Sequence, residues 1–390
     1  MRLLLVSQPA RDGVLRHVSD LAEFLLSEGD HVDLAYSDWK ATDQLALLVD
    51  RIRSSGGRAI NLQVRNAPSL GDLGALIRLR SFIEQTRPDL VHAHSSKAGA
   101  LVRILGLFGL PVPIVYAPHS YYRMNRPGGW TTSAFHGLEK VFGRVGTTMT
   151  TSRCESTFAQ RVLGVPLSRQ VMCHNAVDFD RYHPASPEMR DAARVQLGLP
   201  CSAKLLGSVG RFSSQKDPIS MYFAFADVVQ VLPDVHFVHL GQGELEPEID
   251  ALISARGMGG RCHRIRYLSD SAAFYRALDG FLLTSIYEGM SFAAIEALAT
   301  NLPLVLTRAP GNNDLADRGL SQVVWCEPKS VSSISQGIVA WRGMLDRGGE
   351  PNHRCVAKCY FERKVCYQTI RTVYRRHITA SSRHGARIHA

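Results

Sequence analysis

Glu288 and Glu296 bracket the stretch Glu-Gly-Met-Ser-Phe-Ala-Ala-Ile-Glu, which lies between the apolar runs Phe281–Leu283 and Leu302–Leu306. The first run reads as a buried strand that delivers Glu288 to a loop. Gly289 then permits a tight turn, and a helix starting near Met290 carries Glu296 about 9 Å along its axis, at 1.5 Å per residue. The unpaired N–H groups of the first turn, around Met290 and Ser291, present the positive end of the helix dipole, which suits a phosphate. Carboxylates on either side of an anion site suit a ligand that also carries hydroxyls, because one carboxylate accepts two O–H bonds from a vicinal diol. A nucleotide sugar has both features. An acidic first turn is also an ordinary helix start, so this pair alone does not decide.

Arg211 and Lys216 supply the complementary charge. The segment Lys204-Leu-Leu-Gly-Ser-Val-Gly-Arg-Phe-Ser-Ser-Gln-Lys-Asp-Pro reads as a strand ending at Gly210, a short cationic loop, and a helix beginning near Pro218 with Asp217 as its cap. Open parallel sheets bind ligands at the carboxyl ends of their strands, which is where both cations fall. Arg offers a planar fork and Lys a mobile point charge, so together they can neutralise a diphosphate and stabilise it as a leaving group. Solvated surface cations are the alternative reading.

The order of these motifs resembles that of a family 4 glycosyltransferase, a retaining enzyme of the GT-B fold. The resemblance runs through the amino-terminal loop Val6-Ser-Gln-Pro-Ala-Arg-Asp-Gly-Val, through Asp89-Leu-Val-His-Ala-His-Ser-Ser-Lys-Ala-Gly and Ala117-Pro-His-Ser, and through His174-Asn-Ala-Val-Asp. It continues with Val209-Gly-Arg-Phe-Ser-Ser-Gln-Lys-Asp-Pro, Leu240-Gly-Gln-Gly-Glu-Leu and the paired glutamates. It implies that Arg211 and Lys216 bind the donor pyrophosphate, Glu288 contacts the transferred sugar, Glu296 binds the ribose hydroxyls, and His119 stands beside the reacting sugar. Gly13, Gly210, Gly243, Glu244, Gly289, Met290 and Ser291 complete the implied donor-binding set.

Three positions depart from the family pattern. Asp12 and Gly13 stand where two adjacent glycines are usual, so a side chain replaces the usual close backbone approach at Asp12, while Gly13 still permits a turn before a helix Val14–Ser27. Ala176 replaces a common Gly, and Asp314 stands where Glu is commoner.

The elements that must position these residues alternate in type. Strand-like runs include Leu3–Val6, His31–Ala35, Leu90–His92, Pro113–Ala117, Leu205–Val209, Val235–Leu240, Gly280–Leu283 and Leu302–Leu306, with helical patterns between them. That alternation implies parallel crossover units. With 390 residues, 45% of them hydrophobic, the chain is long enough for two cores. The expected architecture is α/β, GT-B, with two Rossmann-like doubly wound domains facing a central cleft. An acceptor domain would span 1–170 and a nucleotide-sugar domain 171–360. A carboxyl-terminal helix, 361–378, would pack back toward the first domain, and a basic tail would cover 379–390.

The net charge of +10 is uneven: residues 341–390 hold 11 Lys and Arg against 3 Asp and Glu, whereas residues 191–340 hold 12 against 15. The basic end reads either as a solvated helix, Lys358–Arg376, with a frayed end from Thr379, or as a patch drawn to anionic lipid. No nucleic-acid recognition motif or stacking pattern accompanies it. The sequence opens on a short strand-like run followed by Pro9, Arg11 and Asp12, which does not read as a secretory signal. The apolar stretch Ile104–Ala117 is too short to span a bilayer. The helix Lys97–Phe108 reads as a buried Rossmann helix or as a lipid contact. A cytoplasmic protein, peripheral at the inner membrane face, is expected.

The eight cysteines are scattered, as in a reducing compartment. His353, Cys355, Cys359 and Cys366 cluster without the paired short spacing of a zinc site, and no other divalent-ion pattern stands out. No essential metal or other cofactor is expected, because Arg211 and Lys216 can replace the metal on a diphosphate leaving group.

The reading is transfer of a sugar from a nucleoside-diphosphate donor to an acceptor hydroxyl, with retention of configuration as the resemblance implies. The acceptor would be a lipid-linked saccharide of a bacterial surface polysaccharide, on the same analogy. No residue is spaced as a covalent nucleophile. Two alternatives stay open: a nucleotide-sugar epimerase of the same architecture, and a non-catalytic partner that binds a nucleotide sugar.

Overall fold

The computed structural model describes residues 1–8, 12–39, 41–65, 67–121, 124 and 129–388. Arg11 of the amino-terminal loop and the last two residues of the basic tail lie outside them. The chain divides into two compact units, Met1–Asn175 with Lys364–Ala390, and Ala176–Arg363.

The first unit alternates β1 (Arg2–Ser7), α1 (Asp12–Ser27), β2 (His31–Tyr36), α2 (Asp43–Ser54), β3 (Ala59–Asn61), α3 (Gly71–Thr86), β4 (Leu90–His94), α4 (Ser96–Leu107), β5 (Ile114–Ala117), α5 (Trp130–Phe142), β6 (Thr147–Thr150), α6 (Arg153–Arg161) and β7 (Gln170–Met172). Its seven strands lie in the order β3-β2-β1-β4-β5-β6-β7, and every pairing is parallel. Central strands such as β1 and β5 are near-continuous apolar runs because helices cover both faces of the sheet.

The second unit holds α7 (Pro187–Leu197), β8 (Lys204–Val209), α8 (Pro218–Val228), β9 (Val235–Leu240), α9 (Glu246–Ala255), β10 (Cys262–Ile265), α10 (Ala272–Ala277), β11 (Gly280–Leu283), α11 (Phe292–Ala299), β12 (Leu304–Thr307), α12 (Asn313–Ala316), β13 (Val323–Cys326), α13 (Val331–Arg347) and α14 (His353–Phe361). Its six-stranded sheet, β10-β9-β8-β11-β12-β13, is again wholly parallel. Two apolar cores flank this sheet, one around Phe281 and Ile295 and the other around Phe225 and Trp341. In each sheet the strand order reverses once, between β1 and β4 and between β8 and β11. Such switch points open a crevice at the carboxyl ends of the strands.

The last helix, α15 (Arg363–Ile388), belongs from Lys364 onward to the first unit. There Arg371 Nε donates to Asp30 Oδ2 at 2.6 Å, and Arg371 Nη1 donates to Glu28 Oε2 at 2.9 Å. The single helix expected over 358–376 is therefore two. Glu362 breaks it with an extended ψ of 128° and bridges to Val177, whose N–H donates to Phe361 O at 2.8 Å. The end expected to fray from Thr379 continues as helix to Ile388. Helix α1 begins two residues earlier than expected, so Gly13 lies in its first turn rather than before it. Helix α4 is a core helix: Ala98, Leu101, Val102 and Leu105 are buried, and only its end leaves Leu107 and Phe108 exposed.

Candidate active site

The loops after β8 and β11 meet at the switch point of the second sheet. Lys216 Nζ donates to Glu288 Oε1 at 2.6 Å, and Ser285 Oγ donates to the same oxygen at 2.6 Å. Glu288 Oε2 accepts from no side chain among the described residues, which leaves one carboxylate oxygen for a ligand hydroxyl. An ammonium has three donors, so Lys216 keeps two for phosphate oxygens. The loops are held by their backbones as well: Ile286 N donates to Gln215 O at 2.8 Å, Gln215 Nε2 to Tyr287 O at 3.0 Å, and Thr284 Oγ1 to Lys216 O at 2.9 Å. Asp217 caps α8 by accepting from Ser220 N at 3.4 Å.

A third loop closes on the first. Phe212 N donates to Gln242 O at 3.2 Å and Leu245 N to Phe212 O at 3.1 Å, which sets Gly243 against the Arg211–Phe212 backbone. Only glycines permit this approach. A Cβ at Gly243 would lie 2.5 Å from Phe212 O, and at Gly241, where φ is +148°, it would lie 2.0 Å from Gly210 O. Beneath them His239 shares a hydrogen bond of 3.0 Å with Gly210 O. Burial drives the His239 pKa down to about 3, so this ring is neutral and braces the loop without adding charge. Glu244 is exposed at the loop tip.

Helix α11 starts at Phe292, two residues later than expected, with Ser291 as its N-cap in extended conformation. Met290 and Ser291 are buried ahead of the helix. Glu296 is buried just over one turn into it, so the rise of a continuous helix from Met290 does not apply. Glu288 N donates to Pro310 O at 2.9 Å, and Gly311, at φ +84°, lets its loop pass under the Glu288–Gly289 peptide. Sequence reading passed over Ser285, Gln215 and Gly311. The Thr284-Ser285 pair at the end of an apolar run was the available signal for Ser285.

In the first unit His119 follows β5 in a strained turn, with φ of 52° there and 84° at Ser120. Buried Glu155 holds this turn. Its Oε1 accepts from Ser120 N at 2.6 Å, and its Oε2 accepts from Thr151 N at 2.7 Å and from Thr151 Oγ1 at 2.9 Å. His119 Nε2 and His94 Nδ1 lie 3.0 Å apart, sharing a hydrogen bond. His92 Nδ1 pairs with Tyr374 OH at 2.5 Å, and His17 of α1 packs edge-on to His119 with centroids 4.8 Å apart. Burial lowers the pKa of His119 to about 4 and, with repulsion among the rings, lowers those of His17, His92 and His94 as well.

The cluster around His353 does not form a metal site. Both His353 ring nitrogens bond to backbone carbonyls, of Leu302 and Ser321, while Cys355 and Cys359 are exposed and Cys366 belongs to the other unit. Conversely, His17, His94 and His119 bring three ligand atoms within 4.8 Å of one another, a grouping that no sequence spacing announced.

Two doubly wound parallel units, one with Lys216 paired to Glu288 at its switch point, define the class. Residues 12–176 match the family described as Glycosyl transferase 4-like domain, and residues 189–343 match Glycosyl transferases group 1. Each unit thus carries a match to a glycosyltransferase family. Among curated relatives, it is 28% identical over 256 residues to the UDP-Gal:alpha-D-GlcNAc-diphosphoundecaprenol alpha-1,3-galactosyltransferase of Escherichia coli, covering 64% of this chain and 66% of that one. It is 24% identical over 259 residues to the putative teichuronic acid biosynthesis glycosyltransferase TuaC of Bacillus subtilis, covering 65% of this chain and 61% of that one. The matched stretch thus spans just under two thirds of these relatives. In fold the chain is similar to Anabaena Alr3699/HepE, solved with UDP and glucose, with a TM-score of 0.78 and 18% identity over 96% of this chain and 99% of that one. It is equally similar to sucrose-phosphate synthase from Thermosynechococcus elongatus, with a TM-score of 0.79 and 18% identity over 97% and 99%.

Proposed function

We propose that this chain transfers a glycosyl unit from a nucleoside-diphosphate sugar to an acceptor hydroxyl, with retention of anomeric configuration. The observation that carries the reading is the Lys216–Glu288 pair at the β8/β11 switch point, which offers ammonium donors to a diphosphate and a free carboxylate oxygen to a sugar. Arg211 and Lys216 stabilise the departing diphosphate together with the N–H groups at the start of α11, so the leaving group needs no metal. Glu296 takes the ribose hydroxyls, and Glu288 with His119 orients the transferred sugar. Same-face displacement, in which the departing phosphate takes the acceptor proton, fits a site with no spaced nucleophile.

The acceptor in this reading is a lipid-linked saccharide, supported by the diphosphoundecaprenol acceptor in the name of the Escherichia coli relative. No described helix is long and apolar enough to cross a membrane. The reading includes peripheral attachment at the cytoplasmic membrane face, supported by exposed Trp130, Leu138 and Val141 on α5, by Leu107 and Phe108 at the end of neighbouring α4, and by the basic carboxyl end.

The test is a panel of nucleotide sugars with and without a diphospholipid-linked saccharide. Nucleoside diphosphate released only as acceptor is consumed, giving a product with the donor's anomeric configuration by NMR, supports transfer. A new nucleotide sugar with no free nucleotide makes the chain an epimerase, and binding with neither makes it a partner subunit.

A further inference from the structure

The carboxyl ends of β1, β4 and β5 in the first unit gather three imidazoles from distant parts of the chain: His17 from α1, His94 from the last position of β4, and His119 from the turn after β5. Their ring centroids form a near-equilateral triangle with sides of 4.8, 5.3 and 5.5 Å. With zinc–nitrogen bonds of 2.0–2.1 Å, three imidazoles on one tetrahedral ion have centroids about 5.2 Å apart and nitrogens about 3.3 Å apart. The triangle matches that size, and His94 Nδ1 already lies 3.0 Å from His119 Nε2. The ligand atoms lie within 4.8 Å of one another, so a shift of about 1.5 Å at most brings in His17. Neither nitrogen of buried His17 has a hydrogen-bond partner among the described residues, so no hydrogen bond opposes that rotation.

Buried, unpartnered imidazole nitrogens are costly unless something accepts their lone pairs or N–H groups. Both ring nitrogens of buried His17 are such atoms, and an ion bound through one of them supplies its partner. His92 packs at a tilt of 44° against His94, with centroids 3.9 Å apart, and is fixed by Tyr374, so it holds the His94 ring. Among the described residues no carboxylate joins the three ligand rings. A neutral all-nitrogen set selects zinc, cobalt, nickel or copper over magnesium and calcium.

We propose that His17, His94 and His119 form a binding site for a zinc-class divalent cation, with a fourth coordination position open to water or a ligand oxygen. The site is not required for transfer. Under the reading given above, in which His119 contacts the sugar, the cation takes that ring and slows transfer.

The test is titration of the chelator-treated full chain with zinc by calorimetry, and with cobalt by visible absorption. The expected result is one equivalent of zinc, the visible bands of tetrahedral cobalt, and no response to magnesium. His17→Gln and His94→Gln each weaken zinc by more than the roughly 100-fold that loss of an outer-shell partner can cost, with the far-UV circular dichroism of the parent retained. His263→Gln, which breaks the half-buried pair His236–His263 of the second unit, leaves affinity unchanged. No stoichiometric binding, or binding indifferent to His17→Gln and His94→Gln, overturns the site and leaves the transferase reading untouched. Should a variant lose its fold, a zinc-dependent rise in the parent's melting temperature supports the site, and no rise counts against it. Stoichiometric zinc without inhibition keeps the site and removes His119 from the sugar.

Discussion

Lys216 and Glu288 are 72 residues apart in sequence and 2.6 Å apart in space, each delivered by the loop after one of two adjacent strands. Their pairing makes them one functional unit: the acid holds the ammonium in place, and the ammonium fixes one carboxylate oxygen so that the other points free.

Substitutions in this unit should be non-additive. Lys216→Met and Glu288→Gln are each expected to lower kcat/KM about 10²–10³-fold, and the double variant to be little worse than either single. Steady-state nucleotide release at low donor concentration measures this. Losses that multiply would show that the two residues act separately.

The glycine contact under the cationic loop sets a steric prediction. Gly241→Ala places a Cβ on Gly210 O at a φ of +148°, so it should cost about 2 kcal/mol or more of stability in the second unit and abolish tight nucleotide binding. Gly259→Ala, which meets no atom within 4 Å, should change stability by about 0.5 kcal/mol at most. Denaturant melts and calorimetry with the nucleoside diphosphate separate the two.

Glu155 acts on His119 through the backbone N–H of the adjoining Ser120. In Glu155→Gln one of the N–H groups of Ser120 and Thr151 loses its carboxylate acceptor, at a cost of about 1–3 kcal/mol, and the strained turn loosens. Turnover should fall about tenfold while affinity for the nucleoside diphosphate stays at the parent value, because that ligand is assigned to the second unit. An equal loss in both quantities would contradict a positioning role.

Acid should destabilise both units. His119 and His239 have folded pKa values of about 4 and about 3, below the unfolded value of about 6.5, so below pH 6.5 the unfolded chain binds more protons. Stability is therefore complete above pH 6.5 and falls as pH drops toward the folded values, by about 1.4 kcal/mol per pH unit for each such histidine. Urea midpoints at pH 7.5, 6.5 and 5.5 should decline in the lower interval only. Zinc should counter the loss in the first unit.

Membrane attachment predicts co-sedimentation with anionic vesicles, weakened by salt and by the combined substitutions Trp130→Ser, Leu138→Ser and Val141→Ser. Equal binding to neutral vesicles, or none to either, would argue against it.

Much of the fold was legible because its strands are buried on both faces. Leu205–Val209, broken only by Ser208, and Gly280–Leu283 are apolar runs with Gly or Pro nearby, and the helices between them force a parallel sheet. Boundaries were less legible. The start of α11 moved from Met290 to Phe292 because Met290 and Ser291 are held as buried irregular chain, and the break at Glu362 depends on its bridge to Val177, which no local propensity encodes. Arg211, Lys216, Glu288 and Glu296 could be singled out because charged residues beside strand ends contrast with their apolar surroundings. Ser285 and Gly311 could not, since small residues in loops carry no such contrast.

The sequence by itself determined the alternation of strand and helix, the two-unit parallel architecture and the charged residues at strand ends, because periodicity and composition are local properties of the chain. Tertiary structure alone decided which strands became neighbours. Placing β8 beside β11 joined Lys216 to Glu288, and placing β4 beside β1 and β5 gathered His17, His94 and His119. Strand order follows from how the helices pack on both faces of each sheet, and no stretch of sequence carries that information alone.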